Sequence, residues 1–103
     1  MHFGLVVTDS AYAPHATALL AGAAARGWDV RCFLTDTGVL LLRDEGFVAH
    51  ARAHPGSVAS CKHSMDHHAP EGMDLSALQG AVVIGGQYQG AKLAGAADVV
   101  LVL

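Results

Sequence analysis

The chain has 103 residues, a length that suits one domain and is too short for two. Hydrophobic residues make up 52% of it and charged residues 15%, a composition that argues against intrinsic disorder. The formal net charge is −3, and the six lysines and arginines are scattered along the chain. Because nucleic-acid binding needs a concentrated basic surface, we expect no nucleic-acid partner.

The sequence also predicts that no segment enters a membrane, because no apolar run approaches the roughly 18 residues that a span requires. The first apolar run, Phe3–Val7, is too short for a signal peptide and lacks a basic segment before it. We therefore expect a cytoplasmic protein. The two cysteines, Cys32 and Cys61, could form at most one disulfide, and a reducing cytosol would keep both as thiols.

The first part of the chain predicts a strand, a turn, a helix and a second strand. The run Phe3–Val7 is typical of a strand covered on both faces. After Pro14, small and apolar residues recur with helical spacing up to Gly27, which is a suitable C-cap. Val30–Leu34, with β-branched and aromatic residues, predicts the second strand.

A second helix is predicted to begin at Asp44-Glu45 and to end at His54-Pro55-Gly56. The preceding residues, Val39–Leu42, are too few to assign from periodicity. The rest of the chain predicts a third strand, a polar segment, a brief helix, a fourth strand, a helix of small residues and a fifth strand. These are, in order, Ser57–Cys61, a loop with some helical turn over Lys62–Gly72, a helix capped by Asp74 or Ser76, Ala81–Ile84, Gln87–Gly95 and Val99–Leu103.

Strands and helices that alternate with short connections predict an α/β fold with a mostly parallel sheet. In such sheets, ligands and reactive groups gather at the carboxyl ends of the strands. Three groups of residues fall there: the turn at Thr8–Tyr12, the turn at Asp36–Gly38, and Cys61.

Cys61 is the strongest candidate for chemistry, because it stands where a buried strand passes into a polar segment. A thiol reacts as the thiolate, and its reference pKa is about 8.5. A cation at the adjacent Lys62 or His63 would stabilise that anion if its side chain pointed toward the sulfur. The alternative is that Cys61 ends its strand as a small apolar residue. Cys32, in the middle of a strand, is predicted to be structural.

The segment that follows Cys61 is rich in metal ligands. With the thiol, His63, His67 and His68 supply the soft and borderline ligands that zinc or copper prefers. The spacing does not match a standard zinc finger, so a solvated loop with adventitious metal affinity remains the other interpretation.

Three blocks of sequence resemble the DsrE/DsrF-like family of sulfur-relay proteins. Phe3–Tyr12 with the helix after it resembles the opening of that family, and Arg31–Val39 resembles its second strand and turn. Leu78–Gly86 and Ala97–Val100 resemble its closing strand, helix and strand. The resemblance implies one DsrE-like domain over residues 1–103, a three-layer sandwich around a five-stranded sheet.

The resemblance also implies a function, because Cys61 matches the position of the family's sulfur-carrying cysteine. Such a cysteine accepts sulfane sulfur as a persulfide and passes it on, so a sulfur-donor and a sulfur-acceptor protein are the expected partners. A homo- or hetero-oligomer, a trimer or hexamer, is expected on the same ground. The segment His63–His68 departs from the family pattern and leaves a metal-binding variant open, as well as an oligomer subunit whose Cys61 is inert.

Overall fold

Five parallel strands form the centre of the fold in the computed structural model, which describes all 103 residues. They lie in the order β4-β3-β2-β1-β5, and every neighbouring pair is parallel. The strands are β1 (His2–Val7), β2 (Asp29–Leu34), β3 (Val58–Cys61), β4 (Val82–Gly85) and β5 (Val99–Val102). The α/β fold predicted from the alternation of strands and helices is confirmed, with a sheet that is parallel throughout.

Four α-helices connect the strands: α1 (Ala13–Ala25), α2 (Glu45–Ala53), α3 (Lys62–His68) and α4 (Gln87–Ala96). Short 3-10 helices cover Ser10–Tyr12, Asp36–Arg43 and Ser76–Leu78. None of the helices combines the length and the apolar character that crossing a bilayer requires.

The strand order decides which face of the sheet each helix covers. From β1 to β4 the chain moves one strand at a time in one direction, so right-handed crossovers place α1 and α2 together on one face. The last connection runs back past β3, β2 and β1 to reach β5, which places α4 on the opposite face. The result is a three-layer arrangement with α4 as the main cover of the second face.

The two faces are therefore buried to different extents. The face under α1 and α2 belongs to a core cluster of 18 buried residues, among them Leu5, Leu20 and Phe47. The face under α4 holds a cluster of only three, Phe33, Cys61 and Leu93. The helix packs closely there because Gly90 has no side chain, and a Cβ at that position would lie 3.0 Å from the Phe33 ring.

One segment is more helical than predicted, and another, which the sequence left unassigned, has a definite structure. The segment predicted as a loop with some helical turn after Cys61 begins with the two-turn helix α3, which follows β3 without a connecting residue. Met65 in this helix and Ala69, its C-cap, are four residues apart and both buried, and this apolar pair fixes one side of the helix against the domain. The ambiguous Val39–Leu42 lies in a 3-10 helix whose Val39 and Leu41 are buried.

Candidate active site

The sulfur of Cys61 lies at the carboxyl end of the sheet, where β3 passes directly into α3. Cys61 is the last residue of the strand and the N-cap of the helix, with an extended backbone. The first backbone N–H groups of a helix have no partner within it. Because the helix starts at Lys62, the N–H groups of His63 and Ser64 are available to the thiol of the residue just before it.

Five donors surround the sulfur. The backbone N–H groups of His63 and Ser64 and the hydroxyls of Ser64 and Thr35 each lower the pKa of the Cys61 thiol, because hydrogen bonds from them favour its ionised form. The fifth, Nε2 of Gln87 at the start of α4, lies 3.8 Å from Sγ. We call Thr35, Cys61, His63, Ser64 and Gln87 the sulfur cradle; its members come from the ends of β2, β3 and β4.

The hydroxyl of Ser64 is free to donate a hydrogen bond within the sulfur cradle. Ser64 Oγ accepts the backbone N–H of Asp36 at 2.9 Å, so its own O–H has to donate elsewhere. Its two candidate acceptors are the sulfur and Thr35 Oγ1, which lies 3.3 Å away. Thr35 in turn lies 3.4 Å from Gln87 Nε2, so the two hydroxyls and the amide form one connected network beside the sulfur.

The turn after β2 is held in a restricted conformation that presents Thr35 to the sulfur. Asp36 has a φ of 51°, in the left-handed region that aspartate tolerates better than most residues. Its carboxylate lies 2.7 Å from Nε2 of His68, which ties the turn to the end of α3. Gly38 follows, and any Cβ there would collide with the backbone carbonyl of Val7.

The two cysteines are both buried, yet their surroundings move their acidities in opposite directions. Burial raises the pKa of Cys61, but the donors of the cradle together outweigh that effect and hold its pKa below the ordinary value. Cys32, which is 2% exposed and has no such donors, has its pKa raised by burial alone. The surroundings therefore favour ionisation of the Cys61 thiol and disfavour ionisation of the Cys32 thiol.

The side chains of Lys62 and His63 lie away from this network. The Lys62 ammonium contacts both carboxylate oxygens of Asp66, at 3.0 and 3.1 Å, and is largely exposed. His63 is also exposed, and its backbone N–H rather than its ring acts on the sulfur. The predicted stabilisation by a neighbouring cation is thus replaced in the structure by neutral donors.

The predicted zinc or copper ligands do not converge. His68 pairs with Asp36, its ring 4.7 Å from the ring of His67, while the sulfur of Cys61 faces the cradle. Nowhere in the structure are three or more histidine, cysteine, aspartate or glutamate side chains grouped so that they could hold a metal ion. His63, His67, His68 and Cys61 are therefore not a preformed metal site.

The sequence prediction named Cys61 but not Thr35, Ser64 or Gln87, which lie beside it in the structure. Thr35 and Gln87 follow predicted strands, so their placement at the carboxyl edge was a signal that could have been used. Ser64 could have been identified only if a helix had been predicted to begin at Lys62. In that case Ser64 lies in the first turn of the helix, next to the thiol.

No protein-family model matches this chain, and no curated protein sequence matches it. What the site does is therefore inferred from its geometry.

Proposed function

We propose that this protein is a sulfur carrier, which accepts sulfane sulfur as a persulfide on Cys61 and passes it to a partner protein. The observation that carries the proposal is the set of donors beside the Cys61 sulfur, of which four lower the pKa of the thiol and the fifth, Nε2 of Gln87, lies 3.8 Å from Sγ. A lowered pKa increases the fraction of thiolate at neutral pH, and the thiolate is the nucleophile in sulfur transfer. The resemblance to the DsrE/DsrF-like family supports the same function.

The transfer step needs no external oxidant or reductant. The Cys61 thiolate attacks the outer sulfur of a donor persulfide, a new S–S bond forms, and the donor's own S–S bond breaks. The donor leaves as a thiolate that carries the negative charge, and the proton of the donor persulfide stays on the outer sulfur of Cys61 until this new persulfide ionises and releases it to solvent. Attack by an acceptor thiolate on that outer sulfur reverses the step and restores the Cys61 thiolate.

In this proposal, access to the sulfur depends on the exposed side chain of Gln87. Cys61 is only 3% exposed, and Ser64 beside it is buried as well. Gln87 is the most exposed member of the cradle that contacts the sulfur through its side chain, and its contact of 3.8 Å is a weak one. In this proposal a donor reaches Cys61 when the Gln87 side chain moves aside, without rearrangement of the sheet.

Intact-protein mass measurement tests the proposal. The protein is incubated with polysulfide, thiosulfate or a persulfide-loaded sulfurtransferase and weighed without reduction. We expect the mass of one added sulfur atom in the wild type and in Cys32→Ser, and no addition in Cys61→Ser. The absence of any addition, or an addition that persists in Cys61→Ser, would refute a sulfur-carrying role for this residue.

A second candidate function is that of an oligomer subunit in which Cys61 is inert, and the low exposure of Cys61 favours it. The rate of alkylation separates the two. A carrier thiolate reacts with iodoacetamide faster at neutral pH than a free cysteine does, whereas an inert thiol reacts no faster.

Both candidate functions are compatible with an oligomer, because a row of apolar residues lies exposed on the edge strand β5. Val99, Val100, Leu101 and Val102 are each between 36% and 65% exposed, and none of them is charged. An exposed apolar edge without charges favours contact with another chain. We propose a homo- or hetero-oligomer that works in the cytoplasm, where reducing conditions keep thiols such as these two free.

A further inference from the structure

A groove of about 500 Å³ lies between α4 and the strands beneath it, and no member of the sulfur cradle lines it. Its wall is one side of α4, formed by residues spaced one helical turn apart. Its floor is Ala59 of β3 and Val83 of β4, and its end is formed by the first residues of the sheet. The wall residues are Tyr88, Gln89, Lys92, Leu93 and Ala96, and those at the end include His2, Asp29 and Arg31.

The groove exists because one helix covers a face that is five strands wide. Small residues on β3 and just before it, Ala59, Ser57 and Gly56, leave space beside the helix. Val83 is 44% exposed, so the floor is accessible from solvent. A volume of about 500 Å³ falls within the roughly 300–1,000 Å³ that is typical of small-molecule pockets.

The charges that line the groove favour an anion. Lys92 on the wall is exposed and makes no ion pair or side-chain hydrogen bond within the protein. The Arg31 side chain is 55% exposed, with Nε 3.5 Å from an oxygen of Asp29 and Nη1 donating to the Gly56 carbonyl. The other oxygen of Asp29 lies 2.8 Å from the His2 ring, so the one carboxylate of the groove is already engaged. Lys92, which has no partner, and Arg31, which shares the Asp29 carboxylate with His2, thus lie beside an apolar floor in a chain whose net charge is −3.

We propose that this groove binds a small amphipathic organic anion, that is, a flat apolar body joined to a carboxylate, sulfonate or phosphate. The apolar body would lie on Ala59, Val83 and Leu93, and the anionic group would be held by Lys92 and Arg31. A small molecule fits better than a protein surface because the site is concave and its cations lie at the wall and at one end. The proposal is independent of sulfur transfer.

Heteronuclear NMR of the full, isotope-labelled chain provides the test, with anilinonaphthalene sulfonate as the anionic probe and phenylnaphthylamine as its uncharged relative. We expect saturable shifts of the backbone amides of Ala59, Val83 and Lys92 with the anion. The uncharged relative should bind up to about fivefold more weakly, since a close charge pair contributes up to about 1 kcal/mol in solvent-exposed positions.

Two matched charge reversals distinguish an effect of the groove on anion binding from an effect of the protein's net charge. Lys92→Glu and Arg52→Glu each reverse one exposed helical cation that has no partner, but Arg52 lies on α2, on the other side of the sheet. Lys92→Glu should weaken binding of the anion about tenfold, and Arg52→Glu should leave it within about twofold. Cys61→Ser should bind as the wild type does, whatever the outcome of the sulfur-transfer test.

Four results would overturn the proposal. They are shifts that do not saturate, shifts centred on β5 instead of the groove, equal binding of the charged and uncharged probes, and equal weakening by the two reversals. If instead the groove amides shift with protein concentration when no probe is present, a second copy of the chain fills the groove and the small-ligand proposal is wrong.

Discussion

At the scale of single residues, position along a strand decides what a buried cysteine can do. Cys32 lies within β2, where the neighbouring N–H and carbonyl groups are used by the sheet and burial only disfavours the charged form. Cys61 lies one residue from a helix whose first N–H groups are free, so the same burial is opposed by several donors. Burial thus keeps water away from the Cys61 sulfur, while the donors favour its ionised form.

Removal of one donor should weaken the cradle measurably. In a Cys32→Ser background, Thr35→Val keeps the shape of the side chain but removes its hydroxyl. Since a hydrogen bond to a charged group contributes about 1.5–3 kcal/mol and one pKa unit is about 1.4 kcal/mol, the Cys61 pKa should rise by about one to two units. The pH dependence of iodoacetamide alkylation, followed by intact mass, measures this.

Thr37→Val is the control for that change, because Thr37 lies in the same turn but contacts Ser10 and Thr8 rather than the sulfur. It should lower the free energy of unfolding without altering the alkylation profile. Equal pKa values in the two variants would show that the Thr35 hydroxyl does not act on the sulfur.

The residues of the cradle were predictable only in part. A polar segment after an apolar strand was enough to select Cys61 from the sequence. The choice of Lys62 and His63 as its stabilisers rested on adjacency, but in α3 the Lys62 side chain reaches Asp66, four residues further along the helix. The side-chain donors in the structure, Thr35, Ser64 and Gln87, follow three different strands. Thr35 and Gln87 are far apart in the sequence, so the sequence gives no indication that they lie close together in space.

At the scale of elements, the strands were predictable and α3 was not. The apolar runs at Phe3–Val7 and Val30–Leu34 lie within β1 and β2 almost residue for residue. By contrast, α3 is short and mostly polar, and its buried side has Met65 as its one large apolar residue, beside Ser64 and the C-cap Ala69. Its existence depends on tertiary contacts with the 3-10 helix at Asp36–Arg43, which local sequence patterns do not contain.

Helix α2 contains a feature that should make the stability of the fold depend on pH. His50 is 9% exposed and its buried Nε2 has no hydrogen-bond partner. Burial, together with the nearby His54, lowers the pKa of His50. The unfolded chain therefore binds a proton that the folded chain does not, and the free energy of unfolding should fall as the pH drops below about 6.5.

His50→Leu should flatten that fall, because it removes the titrating group and the unpaired atom together. Urea denaturation about one pH unit above and one below the reference imidazole value measures the difference in stability. His15→Leu, on the exposed side of α1, is the control and should keep the wild-type slope. Identical slopes in all three proteins would show that His50 is not the source.

At the scale of the whole molecule, the alternation of elements predicted the class of fold but not the difference between its faces. That difference follows from the return of the chain to β5, which leaves only α4 on one side of the sheet. The strand order was not contained in the local patterns, so neither the groove beside α4 nor the exposed edge at β5 could be predicted from the sequence.

The exposed edge leads to a prediction about assembly. Val102 is 65% exposed, so Val102→Lys should fold as the wild type does while placing a charge on the edge of the sheet. Analytical ultracentrifugation should show an oligomer for the wild type and monomers for Val102→Lys. Leu19→Lys, which changes an exposed apolar residue of α1, should leave the oligomer intact. A wild-type protein that is monomeric at every concentration would contradict the proposed oligomer.

The sulfur-carrier proposal depends on neutral donors holding the pKa of Cys61 below its ordinary value. The most direct measurement is the ultraviolet absorbance of the thiolate as a function of pH in Cys32→Ser, with Cys61→Ser as the blank. We expect the titration of the thiolate absorbance to have its midpoint below that of an unperturbed cysteine, which is about 8.5. A midpoint at or above that value would mean that burial outweighs the donors, and the claim would be wrong.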